Sequence, residues 1–238
     1  MQRLLLSLSL ISPLLMCSTV ARAEGFGINA TRLIYPQGES SIMVSVRNTT
    51  TKQPFLVQAS VSHLKDKNQP APFYVRPPLF RMEPGGVNQI RIVAQGINAP
   101  SDRESVFYFH ASAIPASTAP VVGERNFGIY GTVQFGVSNI IKLFYRPSGL
   151  PSSSLAAQEG LQFSLVQGGL EVSNPSPYFV SFATLRVAGK AFKLDTPGAL
   201  MLAPFSEHTY QTTATRGTVE WQTINDEGGI NAFSYVLP

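Results

Sequence analysis

The sequence predicts an all-β chain built from two sandwich domains in succession. Three observations carry that expectation. Apolar and polar residues alternate over short stretches, the period of a strand with one buried face. Clusters of Gly, Pro, Asn and Ser interrupt those stretches at short intervals. No apolar pattern of helical period lasts long enough for a helix of ordinary length.

The 238 residues open with a targeting segment, 1–23. Arg3 supplies the positive start, Leu4 to Leu15 is almost wholly apolar, and Ala21-Arg22-Ala23 fits the small-x-small cleavage pattern. The apolar core is too short for a membrane span, so no direct membrane insertion is expected. The mature chain should start at Glu24, outside the cytoplasm. The one cysteine, Cys17, falls in the removed part and follows Met16 rather than a small residue, which argues against lipidation. An exported chain without disulfides must rely on its core.

Without Arg3 and Arg22 the 18 basic residues become 16, against 14 acidic ones. They form no cluster, so no nucleic acid partner is expected. The remaining length suits one large or two small domains.

From Phe26 to Ala113 short strands follow one another. GINATRLIYP is closed by a turn at Gly38-Glu39. Ile42, Val44 and Val46 alternate before an Asn48-Thr-Thr-Thr turn. Phe55, Val57 and Ala59 alternate before the charged loop 65–70. Tyr74 and Val75 lead to Pro77-Pro78, a pair that admits a cis bond. Glu83-Pro-Gly-Gly86 is a turn. Asn88 to Val93 and Glu104 to Ala113 are further strands. Seven strands at this spacing predict a sandwich of immunoglobulin type. Residues 114–128, rich in Pro, Gly and small residues, read as a long loop.

The stretch from Ile129 to Pro147 organises the rest. Ile129, Val133, Phe135, Val137 and Ile141 share one parity; Tyr130, Thr132, Gln134 and Ser138 fill the other. From Ile140 both parities turn apolar, which predicts burial on two faces. Fully extended, 129–145 would span roughly 55 Å, far beyond the usual strand of about 17–20 Å. One reading is a long, bent strand that fills its own core. The other is a strand that projects past its sheet and offers its apolar row to a partner as an added strand.

After Tyr145 the composition changes. Residues 146–154 read as a linker, with the boundary between domains 24–147 and 148–238. Eight candidate strands follow: 161–166, 170–172, 178–185, 190–194, 199–202, 207–212, 218–224 and 232–237. Asn174-Pro-Ser-Pro and Asp226-Glu-Gly-Gly are turns.

Several stretches together resemble the periplasmic pilus chaperones of the PapD type. They are Ala30-Thr-Arg-Leu-Ile-Tyr, Pro77-Pro with Arg81-Met-Glu-Pro-Gly85, Asp102-Arg-Glu-Ser-Val-Phe-Tyr-Phe109, Ile114-Pro115, Ile141-Lys-Leu-Phe-Tyr-Arg-Pro147, Asn174-Pro-Ser-Pro-Tyr178 and Ile224-Asn-Asp-Glu-Gly-Gly229. They run in the order of that family and cover nearly the whole mature chain. The resemblance implies two immunoglobulin-like domains set in an L. It implies a periplasmic protein that lends a strand to pilus subunits and hands them to an outer-membrane usher. The lent strand falls on Val133, Phe135 and Val137, with Ile129 as an extension. Arg32 and Lys142 would grip the subunit's C-terminal carboxylate, and Glu104, Arg146 and Asp226 would hold the two domains at their angle.

Three buried side chains would contribute about 5–9 kcal/mol gross, against an association cost of at least about 4 kcal/mol. A charged anchor is therefore useful, and it also fixes the register of the lent strand. Lys142 sits among apolar residues, where an unpaired cation is costly. Many relatives carry a disulfide in the second domain; lacking it, this chain should rely on packing around Trp221, Tyr178 and Phe182. By the standard of that family, the loop before the lent strand and the brief tip of that strand fit its short-loop branch. Whether the free chain caps itself as a homo-oligomer stays open.

No cofactor and no metal are expected, and no enzyme. His63, His110 and His208 lack metal-ligand spacing, and neither a nucleophile elbow nor a phosphate loop occurs. The alternative is a secreted two-domain adhesin or carbohydrate-binding module, which would need neither Arg32 nor Lys142.

Overall fold

The computed structural model describes residues 24–66, 69–116, 135–214 and 216–238. Alternation builds two sheets around the first core. One holds β1 (Phe26–Ile28), β3 (Ile42–Asn48), β7 (Val87–Ala94) and β5 (Phe73–Arg76), in the order β1-β3-β7-β5. The other holds β2 (Arg32–Pro36), β9 (Val137–Arg146), β8 (Ser105–Pro115), β4 (Phe55–Ser62) and β6 (Leu79–Met82), in the order β2-β9-β8-β4-β6. Val44, Val46, Val57, Ile90, Ile92, Phe109 and Leu143 meet between the sheets. The opposite parity of β4, β8 and β9 forms an outer face.

The second core lies between two further sheets. One is β10 (Gln162–Val166), β11 (Gly169–Asn174) and β15 (Ser206–Gln211). The other is β13 (Lys190–Ala191), β12 (Val180–Val187), β16 (Gly217–Ile224) and β17 (Ile230–Leu237), with β14 (Met201–Leu202) also on β12. Trp221, Tyr178 and Phe182 are buried there, as the missing disulfide led one to expect. Trp221 packs against Phe163 at 4.6 Å and Phe233 at 5.5 Å between ring centroids.

Each domain carries one buried asparagine that organises a turn. Asn48 Nδ2 donates to Gln53 O and Glu83 O while its Oδ1 accepts from Thr50 N. Asn174 Nδ2 donates to Tyr178 O and Ala203 O while its Oδ1 accepts from Ser176 N. These are the two Asn-led turns legible in the sequence.

Several local expectations are corrected. GINATRLIYP is not one strand: β1 and β2 belong to different sheets, and the chain crosses between them at 29–31. Leu79–Met82, too short a run to read, forms β6. Ile114 and Pro115 belong to β8, not to the loop, and pair with Leu56 and Phe55. The expected linker ends in a helix, α1 (Ser154–Glu159), capped by Ser153 Oγ accepting from Ala156 N at 3.2 Å. The expected strand 199–202 is half helix: Ala199 and Leu200 end α2 (Pro197–Leu200), where Thr196 caps and Pro197 opens the helix, and Met201–Leu202 is β14. Two-faced burial begins at Leu143 and Phe144; Ile140 remains exposed, because the second domain covers only the far end of β9. The Arg76–Pro77 bond is cis.

Candidate binding cleft and domain junction

Four residues align across the outer face of the first domain. Ser62 stands opposite Tyr108, Tyr108 opposite Lys142, and Lys142 opposite Arg32. The last pair lies on β2 and β9, which run parallel. Arg32 is only 9% exposed, and its Nε has no hydrogen-bond partner. Its guanidinium carbon lies 5.6 Å from the centre of the Phe144 ring. Among the described residues neither Arg32 nor Lys142 forms an ion pair. Burial pulls the Arg32 pKa below its ordinary value against the fields of Asp226 and Glu104. Lys142 is lowered to about 8, first by burial, then by Arg32 and Lys65. Every charge acting on Lys142 is positive, so this corner of the cleft is suited to an anion.

An open strand edge leads to that corner. β8 pairs with β9 from Val137 to Tyr145, whereas β2 covers only Lys142 to Arg146. Among the described residues no strand pairs with the other edge of 137–141. The Asn139 side chain alone reaches across it, donating to Phe26 O at 3.4 Å. Phe135, 82% exposed, and Val137, 46% exposed, share the parity of the core residue Leu143. Ile129 and Val133 lie outside the described residues.

Glu104, Arg146 and Asp226 are brought together between the domains. Arg146 Nε donates to Glu104 Oε1 at 2.7 Å, and its two terminal nitrogens donate to Asp226 Oδ2 at 2.7 Å and Oδ1 at 3.0 Å. This is a bidentate fork onto one carboxylate with a third bond to another. Glu104 Oε2 accepts from Phe179 N at 2.8 Å, and Glu104 N donates to Pro177 O at 2.9 Å. Ser154 Oγ donates to Asp226 Oδ1 at 3.1 Å.

The three charges respond differently. Burial pushes the Glu104 carboxyl up, and Arg146 only partly offsets it. Burial acts the same way on Asp226, but there the Arg146 hydrogen bonds win and hold it below the usual carboxylate range. Arg146 is buried too, yet its bonds to Asp226 and Glu104 hold its pKa above the ordinary value.

Some residues of this junction escaped the sequence reading. Phe144 packs on Phe179 of the second domain at 5.5 Å. Tyr178, read only as core, also carries Arg146 over its ring at 5.1 Å and donates its hydroxyl to Ser152 O at 3.1 Å. Thr31 lies against Gly228, where an added Cβ would meet Thr31 Oγ1 at 2.5 Å. The signal was present in Asn174-Pro-Ser-Pro-Tyr178 and Asp226-Glu-Gly-Gly, but turn residues do not announce what they face.

Each histidine has a different neighbour. His63 packs on Phe107, His208 on Tyr210, and buried His110 Nε2 lies 2.7 Å from Ser62 Oγ.

Comparison with known proteins follows the same division into two. The family described as pili and flagellar-assembly chaperone, PapD N-terminal domain, matches residues 25–151. The pili assembly chaperone PapD C-terminal domain matches residues 156–235. The chain belongs to the PapD family of pilus-assembly chaperones. This chaperone is 34% identical over 228 residues to the probable fimbrial chaperone protein ElfD of Escherichia coli K12, covering 94% of this chain and 92% of that one. It is 31% identical to the chaperone protein PsaB of Yersinia pestis, covering 86% and 80%. Among solved structures, the Escherichia coli chaperone DraB superposes with a TM-score of 0.74 at 33% identity, over 91% of this chaperone and all of DraB. A chain of the Salmonella enterica SafA pilin complex with the SafB chaperone superposes equally well, with a TM-score of 0.74 at 32% identity over 91% and 98%. The fold is thus the all-β, two-domain fold of these chaperones, and the adhesin alternative is not favoured.

Proposed function

We propose that this chaperone caps pilus subunits by lending them β9 and the residues before it, and delivers them to an outer-membrane usher. One observation carries the reading: the open edge of β9 over 137–141 ends at the unpaired cations Arg32 and Lys142. A subunit strand laid on that edge would continue the line of β2. If its terminal carboxylate stops at Arg32 and Lys142, it runs parallel to β9, as β2 does. Phe135 and Val137 would then point into the subunit's interior, with Val133 and Ile129 extending the row. Backbone pairing supplies sequence-tolerant affinity, and the carboxylate sets the register.

The charged trio would fix the angle between domains 24–147 and 148–238 and so hold the cleft open. Residues 1–23 serve as an export signal cleaved after Ala23, which places the mature protein in the periplasm. The relative SfaE is itself described as a periplasmic chaperone. When no subunit is bound, the same edge is available to a second copy of the chain.

The test is recovery of subunits from periplasmic extracts. Arg32→Ala, Lys142→Ala and Phe135→Asp should each leave a folded chaperone that no longer co-purifies with them. Unchanged recovery with all three would overturn the proposal.

A further inference from the structure

A turn after β4 closes over the outer face of the first domain beside the cleft cations. Ser62 and His110 belong to that face by parity, yet both are buried. Ser62 Oγ donates to the Leu64 carbonyl while contacting His110 Nε2, which folds residues 63–66 back toward the sheet. The base of the turn is closed by His63 N donating to Gln69 O at 2.8 Å and Ala71 N to Val61 O at 3.1 Å. Lys65 is therefore carried just beyond the row Ser62, Tyr108, Lys142, Arg32. It is exposed, forms no ion pair among the described residues, and its ammonium is near enough to act on Lys142.

A terminal carboxylate brings a single negative charge. Asp226 and Glu104 act on Arg32 but are themselves paired with Arg146, so Arg32 and Lys142 already offset that charge and Lys65 adds a positive charge that a singly charged ligand leaves unmatched. The cluster is balanced by a ligand end that carries more than one negative charge. We propose that Lys65 is a specificity-determining contact, favouring partners with an acidic side chain close to the terminal carboxylate. This rests on the carboxylate-anchor reading above.

Synthetic peptides of alternating apolar and polar residues separate the two claims. Each is made with a free or amidated C-terminus and with Glu or Gln at one of its last few positions, and is titrated by fluorescence anisotropy against full-length mature chaperone. For wild type, the free acid should bind better than the amide. The best-placed Glu should improve binding over Gln by about two- to fivefold, the scale of an exposed ion pair. Lys65→Ala should abolish the Glu preference and Lys65→Glu should reverse it, both keeping the preference for free acid over amide. If both variants discriminate Glu from Gln as wild type does, Lys65 has no such role and the anchor stands. If acid and amide bind wild type equally, the anchor reading falls and this inference falls with it.

Discussion

Arg32 and Lys142 face each other across parallel strands, two positive charges with no carboxylate paired to either among the described residues. Such an arrangement is unfavourable in the free protein and favourable once an anion sits between them.

The first consequence concerns pH. Lys142 is lowered to about 8 by burial and neighbouring cations, so it begins to lose its charge just above neutral pH. A bound carboxylate favours the charged form. Subunit-peptide affinity should therefore fall as pH rises through about 8, by at most about tenfold per unit. Lys142→Arg should flatten this profile. Calorimetric titration from pH 7 to 9.5 checks it, and a flat wild-type profile would contradict the assignment.

Stability should move the other way. The folded pKa of Lys142 lies below its unfolded value of 10.5, so the unfolded chain binds the proton more tightly. The penalty is fully present below about 8 and fades as pH rises toward 10.5. Lys142→Met removes the penalty and should stabilise the free chaperone at pH 7 by about 1 kcal/mol after allowing for partial exposure, while abolishing subunit capture. A thermal melt and a pull-down on the same preparation test both.

Arg146 is the member of the charged trio that touches both acids. Arg146→Ala strands Glu104, whose side chain is 2% exposed, and should cost about 3–5 kcal/mol. Glu104→Gln keeps an acceptor for Phe179 N and should cost clearly less. Urea unfolding ranks the two, and equal losses would mean that the junction's electrostatics are secondary to packing.

Gly228 takes a left-handed backbone, φ +86°, directly against Thr31. Gly228→Ala should cost about 1–2 kcal/mol in backbone strain alone and, by colliding with Thr31, widen the spread of interdomain angles seen in solution scattering. Pairing it with Thr31→Gly should restore the angle but not all of the stability.

Phe135 and Gln134 are adjacent in sequence and opposite in parity. Phe135→Asp should abolish subunit binding, while Gln134→Ala should leave it within about twofold, because only one parity enters the subunit. Pull-down with each variant decides, and equal effects would contradict the assigned faces.

Much of this was legible in the chain itself. Val44, Val46, Phe55, Val57 and Ala59 alternate and are buried as alternation requires. Arg32 and Lys142 were singled out by motif, and strand register sets them opposite each other. Long-range partners were less legible. Nothing local in Phe179 or Thr31 reveals that each meets the other domain, since such contacts depend on how two finished sandwiches dock. Helix α1 was hidden for a different reason: it makes fewer than two turns and follows a run of serines that favour caps and loops equally.

Glu104 sits in the first domain, and its carboxylate is shared between the two: Oε1 accepts from Arg146 of the same domain and Oε2 from Phe179 N of the second.

 Phe179 is made long after Glu104, and so is Asp226, which completes the Arg146 fork. A growing chain completes β1 to β9 while Glu104 is still in water, and only the arrival of β12 and the β16–β17 turn can enclose it. Burial of Glu104 is therefore complete only once the second domain is in place. A half-made or truncated molecule would have β9 but would leave Glu104 and Arg146 without their second-domain partners, so only the whole chain closes the junction.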